Sequence, residues 1–324
     1  MWEIRRYRET EKELWDEFVS SSRNATFLFY RDYMDYHADR FADHSLLGYR
    51  KGKLAAILPA NITEKTLHSH QGLTCGGWLL PQSGLDGGEI ASLWKAWMEY
   101  CAAEKIEKVI YKPLPYIYAG MPSQEDLYML YKAGAQLVQT DLSTTMDLAC
   151  NPGFNKLQRR HLAHIPETVK IEVGRAGDEK LIQEFHKMLA ECLAERHEAT
   201  PVHTAQELAL LMQRFPENIQ LRLAVENGTV TAGICEYITP DCVHCQYIGT
   251  TLKGREQNVL AKVVKEIADE YVAKGVRYLD FGTSNEDGGK VLNEGLNRQK
   301  TSYGGSGVAY QRWEISVDGA AEKL

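Results

Sequence analysis

The sequence contains no uninterrupted apolar run of the ~20 residues needed to cross a bilayer. Its opening residues, Met1-Trp2-Glu3-Ile4-Arg5-Arg6, lead into charged sequence rather than into the apolar stretch of a signal peptide. Secretion and membrane insertion are therefore not expected, and a cytoplasmic location is. Positive charge is not in excess either: 37 Lys and Arg face 44 Asp and Glu, a net charge of -7. That balance excludes a general attraction to nucleic-acid phosphates and leaves only a local basic patch for such a task. Cysteine is sparse and unpaired by spacing. Seven residues, an odd number scattered through the chain, do not make the disulfide framework of a small secreted scaffold, so reduced thiols are expected. Cys242-Val243-His244-Cys245 groups metal-ligand types, but no second Cys-x-x-Cys or His pair completes a tetrahedral set, and no metal is expected. Low-complexity tracts are missing throughout.

What is present is an ordinary globular composition, 44% hydrophobic and 25% charged, and a length of 324 residues that fits two domains better than one. The pattern along the chain repeats once. Ser45 to Arg50, the turn Lys51-Gly52 and Lys53 to Asn61 read as a hairpin, because apolar runs flank a turn whose glycine tolerates positive φ. Leu221 to Glu226, Asn227-Gly228 and Thr229 to Ile238 repeat it. Each hairpin is followed by another extended segment, His68 to Trp78 and Val243 to Thr250, and then by an amphipathic helix. Ile90, Leu93, Trp94, Trp97, Met98 and Cys101 form one apolar stripe, and Val259, Leu260, Val263, Val264, Ile267 and Tyr271 form its counterpart. Gly275 marks the end of the second helix.

Buried strands follow at Ile106 to Tyr111 and Val276 to Phe281, then a further helix, then long strands at Ala135 to Leu148 and Val308 to Val317. Helices are also expected upstream of the hairpins, at Glu11 to Ser20, Arg31 to Arg40, Asp178 to Ala194 and Thr204 to Arg214, with Thr204 and Glu207 forming a capping box. Gly228 follows Gly52 by 176 positions, Val259 follows Ile90 by 169, and Gly304 follows Gly134 by 170. The near-constant offset indicates tandem duplication. The expected domains are 1–150 and 151–324, joined at the turn signal Asn151-Pro152-Gly153.

Chemistry is expected in the second lobe. Lys253-Gly254-Arg255 precedes a helix read as starting near Glu256, where free backbone N–H groups, the helix dipole and two cations would favour an anion. The matching first-lobe stretch, Gln82 to Glu89, is acidic. Phe281 to Gly289 follows a buried strand and is rich in small hydrogen-bonding residues, so Ser284, Asn285 and Glu286, with Asn293 on the next helix, are candidates for substrate recognition. His244, Gln246 and Ile248 share one face of a strand, making His244 the candidate general base. Phe154 to Arg160 with His161, His164, Lys170 and Arg175 concentrates positive charge against Glu167 and Glu172; a phosphate-bearing donor such as tRNA or CoA, an anionic acceptor, or solvent alone would face it.

The element order helix-helix, hairpin, strand, helix, strand, helix, strand resembles the GCN5-related N-acetyltransferase (GNAT) fold, and its duplication resembles the FemAB-like branch of that superfamily. Leu157-Gln158-Arg159-Arg160 and Gly295-Leu296 … Lys300 … Gly304-Gly305 are similar to recurring FemAB-like patterns. The resemblance implies an α/β (α+β) fold of two GNAT-like lobes, each with a mixed, mostly antiparallel sheet flanked by helices. It implies transfer of an acyl or aminoacyl group from acyl-CoA or aminoacyl-tRNA, as co-substrate rather than bound cofactor, to an amine acceptor that is a small molecule, peptide or saccharide. A role in cell-envelope or polysaccharide assembly follows from the same resemblance, as does a first lobe that is non-catalytic or binds acceptor. By resemblance, Lys300 occupies the position of a charge-stabilising lysine, where the first lobe has Leu130, and His203, in Pro201-Val202-His203-Thr204, borders the acceptor site. The glycine-rich pyrophosphate loop of acetyl-CoA enzymes is replaced here by Lys253 to Asn258, and the helical arm of some bridge-forming members has no counterpart. The donor is left open, and a ligand-binding protein that kept the fold without catalysis is the competing expectation.

Overall fold

The computed structural model describes residues 1–150, 153–197 and 199–324. Asn151 and Pro152 of the expected linker lie outside them. The chain runs β1 (Trp2–Arg6), α1 (Lys12–Ser21), α2 (Arg31–Met34), β2 (Leu46–Arg50), β3 (Lys53–Leu58), β4 (Asn61–Thr63), β5 (Thr66–His68), α3 (Gly87–Ala103), β6 (Lys108–Tyr111), α4 (Glu125–Ala133) and β7 (Gln136–Asp147). It continues through α5 (Lys156–Leu162), β8 (Val169–Gly174), α6 (Glu179–His197), α7 (Ala205–Arg214), β9 (Ile219–Glu226), β10 (Thr229–Ile238), β11 (Cys242–Thr250), α8 (Leu252–Glu256), α9 (Leu260–Ala273), β12 (Tyr278–Thr283), β13 (Asn285–Glu286), β14 (Val291–Leu292), α10 (Glu294–Ser302), β15 (Ser306–Ser316) and α11 (Ala320–Lys323). Among the described residues no helix is long and apolar enough to cross a membrane.

The duplicated order is present as read. Both hairpin turns hold two consecutive residues at positive φ, Lys51 at 50° with Gly52 at 76° and Asn227 at 51° with Gly228 at 77°, the conformation that matches the twist of paired strands. Thr204 and Glu207 make the expected reciprocal cap, and Asp86 and Glu89 make another on α3. Three expected elements differ. The helix Arg31 to Arg40 is α-helical only to Met34 and then tightens. The helix read from Glu256 starts at Leu260, because Asn258 sits at φ 55° and breaks the turn before it. The strand His68 to Trp78 ends at His68: His70 at φ 96° and Gly77 at φ 94° turn the chain into a loop.

Two compact units result, one of residues 1–141, 288–290 and 309–324, the other of 142–287 and 291–308. They differ from a cut at 150 because β7 passes out of the first unit after Asp141 and β15 enters it at Ala309. In the first unit β1-β2-β3 form one antiparallel sheet; β4, β5 and β6 form another, whose edge is completed by the end of β15. In the second unit the order β8-β9-β10-β11-β12 continues to the end of β7, antiparallel except for β11 against β12.

Each unit has its own core. The first packs the α3 stripe, including the fully buried Trp94 and Trp97, against Leu46, Leu58, Val109, Tyr111 and Ile315. Trp94 and Trp97 meet edge to face at 5.2 Å. Truncating a buried aromatic of this kind to alanine costs ~3–5 kcal/mol. The second packs Val263, Val264, Ile267 and Tyr271 of α9 against Ala224, Ile234, Val243 and Leu279. None of the seven cysteines is in a disulfide, and of the seven only Cys150 is exposed.

Candidate active site

The second unit's parallel pair is short. β11 and β12 are in register at Cys242 with Tyr278, Val243 with Leu279 and His244 with Asp280, and there the pairing stops while both strands continue. Strands that part at their carboxyl ends open a crevice with unpaired backbone groups, the usual place for a ligand in such sheets. A bulge helps the parting. Cys235 and Glu236 of β10 face Tyr247 and Cys245, so Gln246 is the extra residue. The regular alternation expected of His244, Gln246 and Ile248 is therefore interrupted.

Asp280, fully buried at the fork, is the centre of the site. It accepts from Ser143 Oγ at 2.5 Å and Thr145 Oγ1 at 2.7 Å, and its other oxygen lies 2.7 Å from His244 Nδ1. Burial works to raise its pKa, but the bonds and the adjacent imidazole win and hold the carboxyl well below the usual carboxylate range. An ionised Asp280 accepts from Nδ1–H, which assigns the neutral ring the tautomer with its lone pair on Nε2.

Lys300 comes to the same place from α10. It is buried, and its Nζ donates to the carbonyls of Gly282 at 2.8 Å and Thr283 at 2.6 Å, groups freed because β12 has lost its partner. Burial lowers the ammonium to about 8, against the opposing pull of Asp280 and Cys245. The third N–H has no acceptor among the described residues. Gly282 sits at φ 74°, a conformation that presents its carbonyl to Lys300 and that would strain any side chain; a Cβ there would just touch His244 Cε1 at 3.4 Å. Gly305, after α10, is needed for a different reason: a Cβ would lie 2.5 Å from Thr144 Cγ2.

The other expected site residues are distributed differently. Ser284, Asn285, Glu286 and Asn293 are brought together, but mainly to build the small β13-β14 hairpin. Asn285 Oδ1 accepts from Leu142 N, Asn293 Nδ2 donates to Glu286, and Asn293 caps α10 rather than lying on it. Ser284 Oγ is buried with no partner among the described residues. Lys253 and Arg255 do not converge. They lie within α8, Lys253 paired with Glu226 at 2.7 Å and Arg255 with Glu195 at 2.9 Å. Gly254 is there for packing, since a Cβ would lie 2.2 Å from Thr231 O. His203 is buried, its Nδ1 2.5 Å from the Tyr247 hydroxyl on β11. Among the described residues no three His, Cys, Asp or Glu side chains converge to hold a metal.

The basic patch is partly a wall. Gln158 is buried and tied to Ser302 Oγ of α10 at 2.9 Å, and Arg159 closes on Phe154 O at 2.6 Å. Arg160, His161 and His164 instead line a cavity of about 440 Å³ whose far side is Glu256, Gln257 and Asn258, the turn between β11 and α9. Asp280, Ser143 and Thr145 were not foreseen as site residues. An acid inside the apolar run Tyr278 to Phe281 was the available signal.

The model of the acetyltransferase (GNAT) domain matches residues 156–287. No curated protein matches the sequence. Among solved structures, FemX shares the fold at a TM-score of 0.68 and 12% identity, covering 99% of each chain. A tandem GNAT protein from the clavulanic acid biosynthesis pathway gives 0.55 and 13%, covering 98% of this chain and 99% of its own. L-PGS from Bacillus licheniformis gives 0.60 and 10%, covering 94% and 92%. The match to the acetyltransferase (GNAT) domain model thus lies within the second unit, and the whole chain shares the fold of FemX and of the tandem GNAT protein, the fold that the resemblance implied.

Proposed function

We propose that this GNAT acyltransferase joins an acyl or aminoacyl group to an amine at the fork of β11 and β12, with His244 as general base and Lys300 stabilising charge. What supports the reading is one arrangement: the buried chain Ser143/Thr145–Asp280–His244, ending where two parallel strands part, with the Lys300 ammonium beside it. In this mechanism the acceptor nitrogen attacks the donor carbonyl while His244 Nε2 takes the nitrogen's proton. Asp280 stabilises the imidazolium that forms, and the remaining N–H of Lys300 faces the developing oxyanion. The imidazolium then returns its proton to the leaving thiolate of a CoA donor or the ribose oxygen of a tRNA donor.

The donor's phosphates are assigned to the Arg160, His161 and His164 cavity, beside the turn that leads from β11 into α9. Acyl-CoA and aminoacyl-tRNA both fit that chemistry. The test is a panel of both donor classes offered with peptide and amino-sugar amines, following release of free CoA or deacylated tRNA. The reading predicts turnover with one class, lost in His244→Ala. Binding of donors with no turnover in either class would instead leave a ligand-binding protein on a GNAT scaffold.

A further inference from the structure

The first unit has a fork of its own. β5 and β6 run parallel through Thr66 with Lys108, Leu67 with Val109 and His68 with Ile110, so His68 and Ile110 occupy the register positions of His244 and Asp280. Two residues farther along, Lys112 stands where the second unit has Gly282. The exchange turns an anionic fork into a cationic one. Beside it lies a cavity of about 470 Å³, lined by His68, Gln71, Ile110, Lys112, Gln139 and Arg312 beside Val138, with no carboxylate among the described residues on its wall.

Its polar groups are only partly used. The Arg312 side chain makes no hydrogen bond or ion pair with any described residue, and of the three ammonium N–H groups of buried Lys112 one is taken, by Leu73 O. Gln71 Oε1 accepts from Asn61 Nδ2 at 2.7 Å and Thr63 Oγ1 at 3.1 Å, an arrangement that leaves its amide N–H groups as donors. Asp141, next but one to Gln139 on β7, accepts from Gln139 Nε2 at 2.7 Å.

We propose that this cavity binds a small molecule through a phosphate monoester, which Arg312 and Lys112 clasp while His68 and the Gln71 amide donate to it. Two cations balance a dianion, whereas a carboxylate would leave one of them unanswered. Burial, with Lys112 and Arg312 nearby, lowers the His68 pKa, so the ring enters as a neutral hydrogen-bonding group rather than a third charge. The volume exceeds what a phosphate alone fills and falls in the range of small-molecule sites, with Ile110 offering an apolar surface to the rest of the ligand. The inference concerns binding and stands apart from acyl transfer in the second unit.

The probes are phenyl phosphate and benzoate, titrated without any acyl donor and followed by calorimetry and by the His68 ring C–H resonances. Phenyl phosphate is expected to saturate, to shift His68, and to bind about tenfold or more weakly to Arg312→Gln, with Lys112→Met behaving alike. Benzoate is expected to bind at least about tenfold more weakly than phenyl phosphate. Arg160→Gln, in the second unit's cavity, leaves the midpoint of the His68 resonance shift unchanged, whatever it does to the heat of phosphate binding at its own cavity. Should Lys112→Met fail to fold, Arg312→Gln, a surface change, carries the test. The proposal is overturned by no saturation of the His68 shift up to about 10 mM, by an undiminished shift in Arg312→Gln, by equal binding of benzoate at His68, or by loss of the His68 shift in Arg160→Gln.

Discussion

Each unit places a histidine at the last paired position of its parallel strands, His68 opposite Ile110 and His244 opposite Asp280. Beyond that point the first fork is sealed: Ser69 N donates to Ile110 O, Gly76 N to Lys112 O, and Lys112 N to Ser69 Oγ. The second leaves the carbonyls of Gly282 and Thr283 to a lysine ammonium. On the helix that follows, Leu130 is a core residue of the first unit, whereas Lys300 of the second reaches the fork. The same scaffold therefore holds a buried Asp–His pair or a cationic cavity, depending on one acid, one glycine and what the next ten residues do.

The comparison breaks hardest at Asp280. Asp280→Asn keeps the volume but neither fixes the His244 tautomer nor balances its charge, so turnover should fall about 10³-fold, while the melting temperature drops because the amide NH2 cannot accept the bonds the carboxylate did. Steady-state kinetics beside a thermal melt check both halves. Lys300→Ala should lower turnover about 10²-fold. Lys300→Arg should keep part of it and lose the alkaline decline near pH 8 that the lysine's lowered pKa gives the wild type.

One property is shared. Burial lowers both Lys112 and Lys300 from 10.5 to about 8. Between these values the unfolded chain binds more protons than the folded one, so stability rises with pH from about 8 toward 10.5. Urea unfolding at the two ends of that window should show the rise, and Lys300→Met should reduce it. Ile110→Asp sharpens the contrast more gently: it should raise the His68 pKa by about one unit or more, read by NMR titration, and change turnover less than about threefold. The smallest effect is expected of Lys253→Ala, within about twofold in turnover, because its partner Glu226 holds it at the surface and such pairs contribute little.

The repeat was legible because hairpin turns and amphipathic helices are local signals. Asn227-Gly228, the α9 stripe and the Thr204 cap each depend on neighbours a few residues away. Lys300 and His244 were legible as candidates for the same reason, one from a motif and one from strand alternation. Asp280 was not, because what makes it a site residue comes from Ser143, 137 positions earlier, and from Thr145, 135 earlier. The Gln246 bulge has no local signature. Nor does the point at which β7 and β15 pass between units, since a continuous strand reads alike on either side of it. Lys253 and Arg255 looked like an anion loop because the sequence shows their charges but hides the Glu226 and Glu195 carboxylates that take them.

The most direct measurement sets the two histidines against each other in one chain. His244→Ala and His68→Ala are assayed for acyl transfer at saturating donor and acceptor. With chemistry at the second fork, kcat falls at least about 10²-fold in His244→Ala and stays within about threefold of wild type in His68→Ala. Equal losses, or a larger loss in His68→Ala, would contradict it.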